Sequence, residues 1–367
     1  MSGPRIALDA FGADRRPSVE IRAAVLAAEQ GLDIDLVGDE ALLRPGLVAA
    51  IAERLQEQSE LEDLESLVEQ RVCLIHAPDQ IAMDESPAKA VRSKLDASLV
   101  VAVDRVAAGT SAAVVSAGNS GALLAAGLFR LGRIAGVDRP AILTSFPRVG
   151  GDVSPDIGKL DRTYLLDAGA NIECKPLNLV QFAVMGATVA RLERGIARPR
   201  VAVLANGSEA GKGTALTRST HELLSAEPSA TAFEYVGPIE PAGLFTDVCD
   251  VAVTDGWTGN MLLKLGEGAM AAWPAMLRES LRGQGLSPAI AAALSAVKAR
   301  VDPEIRGGAP LVGVDGTLII CHGASGPRAL LAGLAAARHS CRLDTTTILR
   351  RAMVEHSELF ERARGTR

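Results

Sequence analysis

Aromatic residues make up only 3% of this 367-residue chain, so aliphatic side chains supply nearly all of its 48% hydrophobic content. That Ala/Val/Leu bias suits helices packed on a parallel sheet, and extended disorder is not expected. Excess positive charge is missing too. With 38 Lys and Arg against 44 Asp and Glu, the formal charge is −6, which argues against a nucleic-acid binder, since that would need a strong basic stripe to displace counterions. Five cysteines, Cys73, Cys174, Cys249, Cys321 and Cys341, lie far apart with no CxxC pair. Neither a zinc site nor a disulfide framework is suggested, no cofactor or metal is expected, and the reduced cytosol is the natural setting. No apolar leader precedes the strand-like Ile6-Ala7-Leu8, so secretion is not expected. One charge-free run of about 24 residues, Val106 to Phe129, is long enough to span a bilayer. Gly109, Gly118, Asn119, Ser120 and Gly121 divide it, however, into a strand, a tight turn and a helix.

Short apolar runs recur along the chain. They predict strands at Arg5–Ala10, Asp33–Gly38, Val72–His76, Ala112–Ser116, Ala141–Phe146, Tyr164–Asp167, Arg200–Ala205, Phe233–Val236, Val248–Thr254 and Thr317–Cys321. Most alternate with helical patterns, at Ser18–Gln30, Lys94–Ala108, Gly121–Gly132, Pro176–Gly195 and Arg328–Ser340. The expected fold is α/β, with a doubly wound, largely parallel sheet in an α/β/α sandwich. Large α/β sheets often exceed the ~100–200 residues typical of a domain, and residues 1–367 are read as a single domain. Glu53–Glu69 reads as the solvated face of a helix. Gly150–Gly158 reads as a loop able to move over a site. Helical pattern from Asn260 to Arg300, broken by Pro274 and by Gly283-Gln284-Gly285, predicts a helical hairpin. Its apolar residues suit a dimer or core contact, while Trp273 and Met276 beside Arg278 and Arg282 also suit a membrane surface.

Glycine-rich turns follow five of these strands: Asp9–Asp14, Ser116–Gly121, Asn206–Gly213, Asp255–Asn260 and His322–Gly326. In an open parallel sheet such turns gather at the carboxyl edge of the strands, where ligands bind. Glycine lets backbone N–H groups approach an anion closely, and a following helix adds the positive end of its dipole. Familiar fingerprints fail. Gly207–Thr214 has the wrong spacing for a P-loop and puts Gly213 where a magnesium ligand belongs; no GxGxxG opens the first helix; and both GxSG turns are one residue short of a nucleophile elbow. Cys321 and His322 are adjacent on a strand and so point to opposite faces, which excludes a dyad.

In order along the chain, IALDAFGAD (Ile6–Asp14), VVSAGNSGALLAAG (Val114–Gly127), DRPAIL (Asp138–Leu143) and LLDAGANIECKPLNLVQFAVMG (Leu165–Gly186) resemble phosphate acyltransferases of bacterial phospholipid synthesis. So do DVCDVAVTDGWTGNMLLKLGEG (Asp247–Gly268) and GGAPLVGVDGTLIICHGAS (Gly307–Ser325). Phe11 and Ala13 stand where that family usually has Met and Gly. The resemblance implies transfer of a fatty acyl group from acyl carrier protein to inorganic phosphate, giving acyl phosphate for a glycerol-3-phosphate acyltransferase. It further implies a fold like isocitrate and isopropylmalate dehydrogenases with a protruding helical hairpin, a homodimer, and a cytoplasmic protein associated peripherally with the inner face of the membrane. A phosphotransacetylase-type enzyme using acyl-coenzyme A and a non-catalytic membrane scaffold are the alternatives.

Phosphate as the nucleophile accounts for the lack of a protein nucleophile. The residues expected to act on it are Asn119, Lys212 as counter-charge and His322. Substrate contacts are expected from Asp9, Gly12, Ser120, Gly121, Asn171, Asp255, Asn260 and Ser325, with Asp9, Asn171 and Asp255 fixing turns rather than reacting. Arg191, Arg194, Arg198 and Arg200, or Arg278 and Arg282, are the candidate patches for acidic acyl carrier protein.

Overall fold

A computed structural model of the chain describes residues 4–58, 63–149, 161–209, 211–226, 233–282, 287–301 and 307–365. The predicted loop Gly150–Gly158 and the interruption Gly283-Gln284-Gly285 lie outside these residues. The chain divides into two compact units, residues 1–134 with 306–347 and residues 135–305 with 348–367.

The first unit is built on strands β1 (Ile6–Asp9), β2 (Ile34–Gly38), β3 (Val72–His76), β4 (Ala113–Ser116), β11 (Ala309–Val312) and β12 (Thr317–Ile320). They lie in the order β3-β2-β1-β4-β12-β11, parallel except for β11 against β12. The runs IALD and AVVS are wholly buried, as expected of strands covered on both faces. Ile6, Leu8, Ile34, Leu36, Val115 and Ile319 pack with α1 (Ser18–Glu29) and α11 (Pro327–Arg342) into one core. On alternate residues the strands meet α5 (Ser98–Ala107) and α6 (Ser120–Arg130), because successive side chains leave a strand on opposite faces. Helices on both faces make the unit doubly wound.

Acidic Glu53–Glu69 is not one helix face: it spans the end of α2 (Glu40–Glu57) and most of α3 (Leu64–Arg71), with residues 59–62 outside the described set.

The second unit carries β6 (Thr144–Pro147), β7 (Arg162–Leu166), β8 (Arg200–Leu204), β9 (Glu234–Ile239) and β10 (Val251–Val253), in the order β6-β7-β10-β8-β9. Only β6 runs antiparallel. The predicted strand Ala141–Phe146 is divided at Leu143 into β5 (Ala141–Ile142) and β6. Helix α7 (Pro176–Arg194) is buried continuously from Leu177 to Ala190 against β7, β10 and β8. On the opposite face Phe146, Leu165, Leu204 and Leu244 form a core with Leu262 of α9. Helix α9 (Gly256–Ser280) runs on through Pro274 rather than breaking there, although an interior proline costs about 3 kcal/mol through its missing N–H and its clash with the preceding turn. It packs against α10 (Pro288–Val301). Among the described residues no helix is long and apolar enough to cross a membrane.

Candidate active site

In the first unit β1, β4 and β12 are neighbours, with Leu8 opposite Val115 and Ser116 opposite Ile320. Their following turns therefore emerge side by side. Asp9 ties them together from below: one carboxylate oxygen accepts Ser98 Oγ at 2.5 Å and the amide of Phe11 at 3.2 Å, and the other accepts Ser116 Oγ at 2.7 Å. Ser116 Oγ in turn accepts the amide of Gly118 at 3.0 Å. Burial pushes Asp9 up, and these donors pull it back toward its charged form. The first two turns touch so closely that a Cβ on Gly12 would lie 2.6 Å from the Gly118 nitrogen. Gly12 thus serves the packing of the two turns.

Asn119 is the N-cap of α6. Its Oδ1 accepts the Ala122 amide at 3.1 Å, and its Nδ2 donates to the carbonyls of Ala82, Met83 and Glu85 at 3.1–3.3 Å. Every polar atom of this side chain is engaged within the fold, so Asn119 shapes the turn instead of offering a free donor. Gly121 packs on Pro87, whose Cγ would be 2.8 Å from an added Cβ. What remains open is the α6 N-terminus: the amides of Ser120 and Gly121 and the exposed Ser120 hydroxyl have no partner among the described residues. Beside them His322 is exposed and its Nδ1 accepts the Ala324 amide at 3.1 Å. In the neutral ring this places the proton on Nε2, which points a donor outward. The Ser325 hydroxyl is likewise unengaged.

The second unit repeats the plan with β7, β10 and β8. Its organiser is a residue the sequence reading passed over. Asp167 is wholly buried and its carboxylate accepts the amides of Ile142, Gly169, Ala170 and Asn171 together with the Asn171 side chain, at 2.7–3.1 Å. Asn171 also donates to Pro140 and accepts the Gly256 amide. Asp255 caps α9 through the Thr258 amide and hydroxyl, both at 2.8 Å. Asp9, Asn171 and Asp255 are thus all engaged in hydrogen bonds that fix turns. Among the described residues the Asn260 side-chain amide, beside Gly169 (φ +136°), has no hydrogen-bond partner, and exposed Lys212 has no carboxylate partner.

The signal for Asp167 was present in the LLDAGAN run, where a carboxylate precedes glycine at a strand end. Gly256 and Gly259, whose Cβ atoms would collide with Asp167, complete that contact.

Neither thiol near the turns is a nucleophile. Burial pushes both Cys174 and Cys321 up to about 12, far from the thiolate form. Cys321 is buried while His322 is exposed, so they form no dyad. Among the described residues no three His, Cys, Asp or Glu side chains are grouped to hold a metal. Two of the four arginines of the first candidate docking patch are neutralised: Arg194 pairs with Asp161 and Asp250, and Arg200 with Asp247 and Asp250.

Residues 4–347 match the family model described as "Fatty acid synthesis protein". The chain is 42% identical to a phosphate acyltransferase of Myxococcus xanthus over 91% of its own length and 89% of the relative's. The chain belongs to the phosphate acyltransferase family. A phosphate acyltransferase of Geobacter sulfurreducens is 40% identical over 89% of this chain and 87% of its own. Among solved structures, a phosphotransacetylase from Streptococcus pyogenes aligns with 93% of this chain and 94% of its own, with a TM-score of 0.57 and 14% identity, which supports the same α/β fold. The chain is accordingly an acyltransferase enzyme, and acyl transfer to phosphate is its reaction class.

Proposed function

We propose that this enzyme takes a long-chain acyl group from the thioester of acyl carrier protein and transfers it to inorganic phosphate, supplying acyl phosphate for phospholipid synthesis. The observation that carries this reading is the set of donors left unengaged among the described residues at the strand ends of the first unit, Ser120, His322 and Ser325, next to a Cys321 thiol that burial pushes up to about 12. Phosphate needs no activation by a strong base. The second ionisation of a phosphate lies near neutrality, about 6 in phosphoesters, so a substantial share of it is already the dianion. It attacks the thioester carbon, the carbon–sulfur bond breaks, and the thiol, with a pKa of about 8.5 in cysteine, leaves without a strong acid. The enzyme positions the two reactants and stabilises the oxyanion. A backbone N–H aimed at such an oxygen is worth about 10²–10³ in rate, and the amides of Ser120 and Gly121 at the positive end of α6 suit that role. In the first unit His322 Nε2 is suited to orient phosphate or carbonyl; in the second, the free charge of Lys212 makes it the candidate counter-charge for phosphate.

The reading extends to a homodimer held peripherally at the inner face of the cytoplasmic membrane. Trp273 and Met276 stand out from α9, 70% and 62% exposed, beside the cations Arg278 and Arg282, a mixture suited to a lipid interface.

The test is phosphate-dependent release of free thiol from long-chain acyl carrier protein by purified enzyme, run beside the matching acyl-coenzyme A. Release from both at equal kcat/KM would favour the phosphotransacetylase-type reading. Release from neither would reject the function.

A further inference from the structure

Beneath the first turn lies a carboxyl group for which the chemistry above has no use. Glu20, in the first turn of α1, is wholly out of solvent. Its Oε1 accepts the Ala13 amide at 2.7 Å, and its Oε2 has no hydrogen-bond partner. Ala13 is itself buried and belongs to the Asp9–Asp14 turn, so this one bond ties the turn to the helix beneath it. An ionised carboxylate with a bare oxygen in such a setting is far more costly than a neutral acid with one unmet hydroxyl. The charged groups acting on Glu20 are Asp9 from the end of β1 and Arg16 from the turn. Arg16 gives no relief by direct contact, because its Nε is engaged by Gln80 Oε1 at 2.8 Å. Asp9 makes ionisation worse, since two buried carboxylates under one turn repel each other and any anion held above them. Of the two, Asp9 has two hydroxyls and an amide that favour its charged form, whereas Glu20 has only the Ala13 amide and its own. Burial pushes both groups up, Glu20 to about 7, so Glu20 carries its proton below neutrality and loses it above.

We propose that Glu20 is a positioning residue that, as a neutral carboxylic acid, holds the Ala13 amide and with it the Asp9–Asp14 turn, on which the Gly118 turn leading to the α6 N-terminus packs, and that its ionisation weakens phosphate binding at that N-terminus. The inference rests on the phosphate-transfer reading.

KM for phosphate should be measured from pH 6 to 8.5 for the wild-type enzyme and for Glu20→Gln with one acyl thioester. Phosphate's own titration is common to both and cancels in the ratio. That ratio, wild type over variant, should be near one at pH 6 and rise to about fivefold or more by pH 8.5, because a group half ionised near 7 is almost fully ionised there. A ratio that stays constant overturns the proposal, since a purely structural role would not make it move with pH. A second measurement needs neither the variant nor catalysis: in protein labelled with ¹³C-glutamate, one carboxyl carbon should titrate with a midpoint above about 6. If every glutamate titrates in the ordinary range near 4.5, the inference falls. Failure of the wild-type enzyme to release thiol with phosphate at any pH would instead reject the function itself.

Discussion

Asn119 directs its amide two ways, toward the Ala122 amide with its oxygen and toward three carbonyls with its nitrogen, and this division sets what each replacement does. Asn119→Ala loses a cap worth about 1 kcal/mol and the hydrogen bonds to three part-buried carbonyls, at a further ~0.5–1.5 kcal/mol. Asn119→Asp keeps the cap but turns a carboxylate oxygen toward those carbonyls, so it should lower the thermal unfolding midpoint at least as much as alanine. If the aspartate variant proves as stable as wild type, the three-carbonyl contact is not what holds the turn. Lys212 is the opposite case. It is exposed and has no ion-pair partner among the described residues, so Lys212→Ala should leave the unfolding midpoint unchanged. It should raise KM for phosphate by roughly tenfold or more, the worth of one charge-assisted contact of about 1.5–3 kcal/mol. An unchanged KM would remove Lys212 from the phosphate site. Asn119 and Lys212 look alike in the sequence, as polar residues in glycine-rich turns, and only the surrounding carbonyls and carboxylates separate a scaffold residue from a free one.

The turns depend on glycine where elements meet. A Cβ at Gly259 would lie 1.9 Å from the carbonyl oxygen of Asp167, and backbone on both sides leaves nothing flexible to yield. Gly259→Ala should therefore destabilise the second unit by more than ~2 kcal/mol, the upper range of ordinary substitutions, whereas Ala at exposed Gly268, with open space around its Cβ position, should be neutral or stabilising in melting experiments. At the far ends of β7, β8 and β10, buried Arg148 joins Arg194 and Arg200 around Asp250. Burial raises Asp250, but hydrogen bonds from Arg200, its amide and Arg148 outweigh this and bring it down to about 2. A depressed carboxylate adds stability that is full above its unfolded value of 3.8 and lost as pH falls toward 2. Asp250→Asn should flatten this acid limb while lowering stability at pH 7; an unchanged limb would place acid sensitivity elsewhere.

This element scale is also where the sequence was most legible. Continuous apolar runs such as IALD and AVVS announce buried strands, and β1, β4 and α6 begin and end within a residue or two of expectation. Helix α2 was not foreseen because only Leu43, Ala50 and Ile51 are buried and Pro45 lies inside it, so its apolar stripe is too thin to show a period. Strand β11 was hidden by Gly307-Gly308 before it and Pro310 within it, although Pro310 pairs in register with Ile319. The gathering of turns at strand ends was readable from alternation alone. The engagement of Asn119 was not, because its partners at residues 82–85 are distant in sequence.

For the molecule as a whole, a formal charge of −6 sets a constraint on the proposed donor. Acyl carrier protein is acidic, so long-range electrostatics oppose its approach, and docking requires a local cationic patch strong enough to overcome the net field. Of the arginines near α7 and β8, Arg194 and Arg200 are poor candidates, since they are already neutralised by Asp161, Asp247 and Asp250. Arg278 and Arg282 are exposed at the end of α9 and form no ion pair among the described residues; Arg278 donates only to the Pro274 carbonyl. They also stand beside exposed Trp273 and Met276, so the same end of α9 is a candidate for lipid. Charge reversal separates the two uses. If the patch docks acyl carrier protein, Arg278→Glu with Arg282→Glu should raise KM for that donor about fivefold or more in dilute salt, with the effect shrinking as ionic strength rises above ~0.15 M, and KM for phosphate should not move. If it serves the membrane instead, steady-state constants in detergent-free solution should be unchanged while binding to anionic vesicles falls. An equal rise in both Michaelis constants would fit neither use, and would mean that α9 transmits the change to the Asp255–Asn260 turn at its other end.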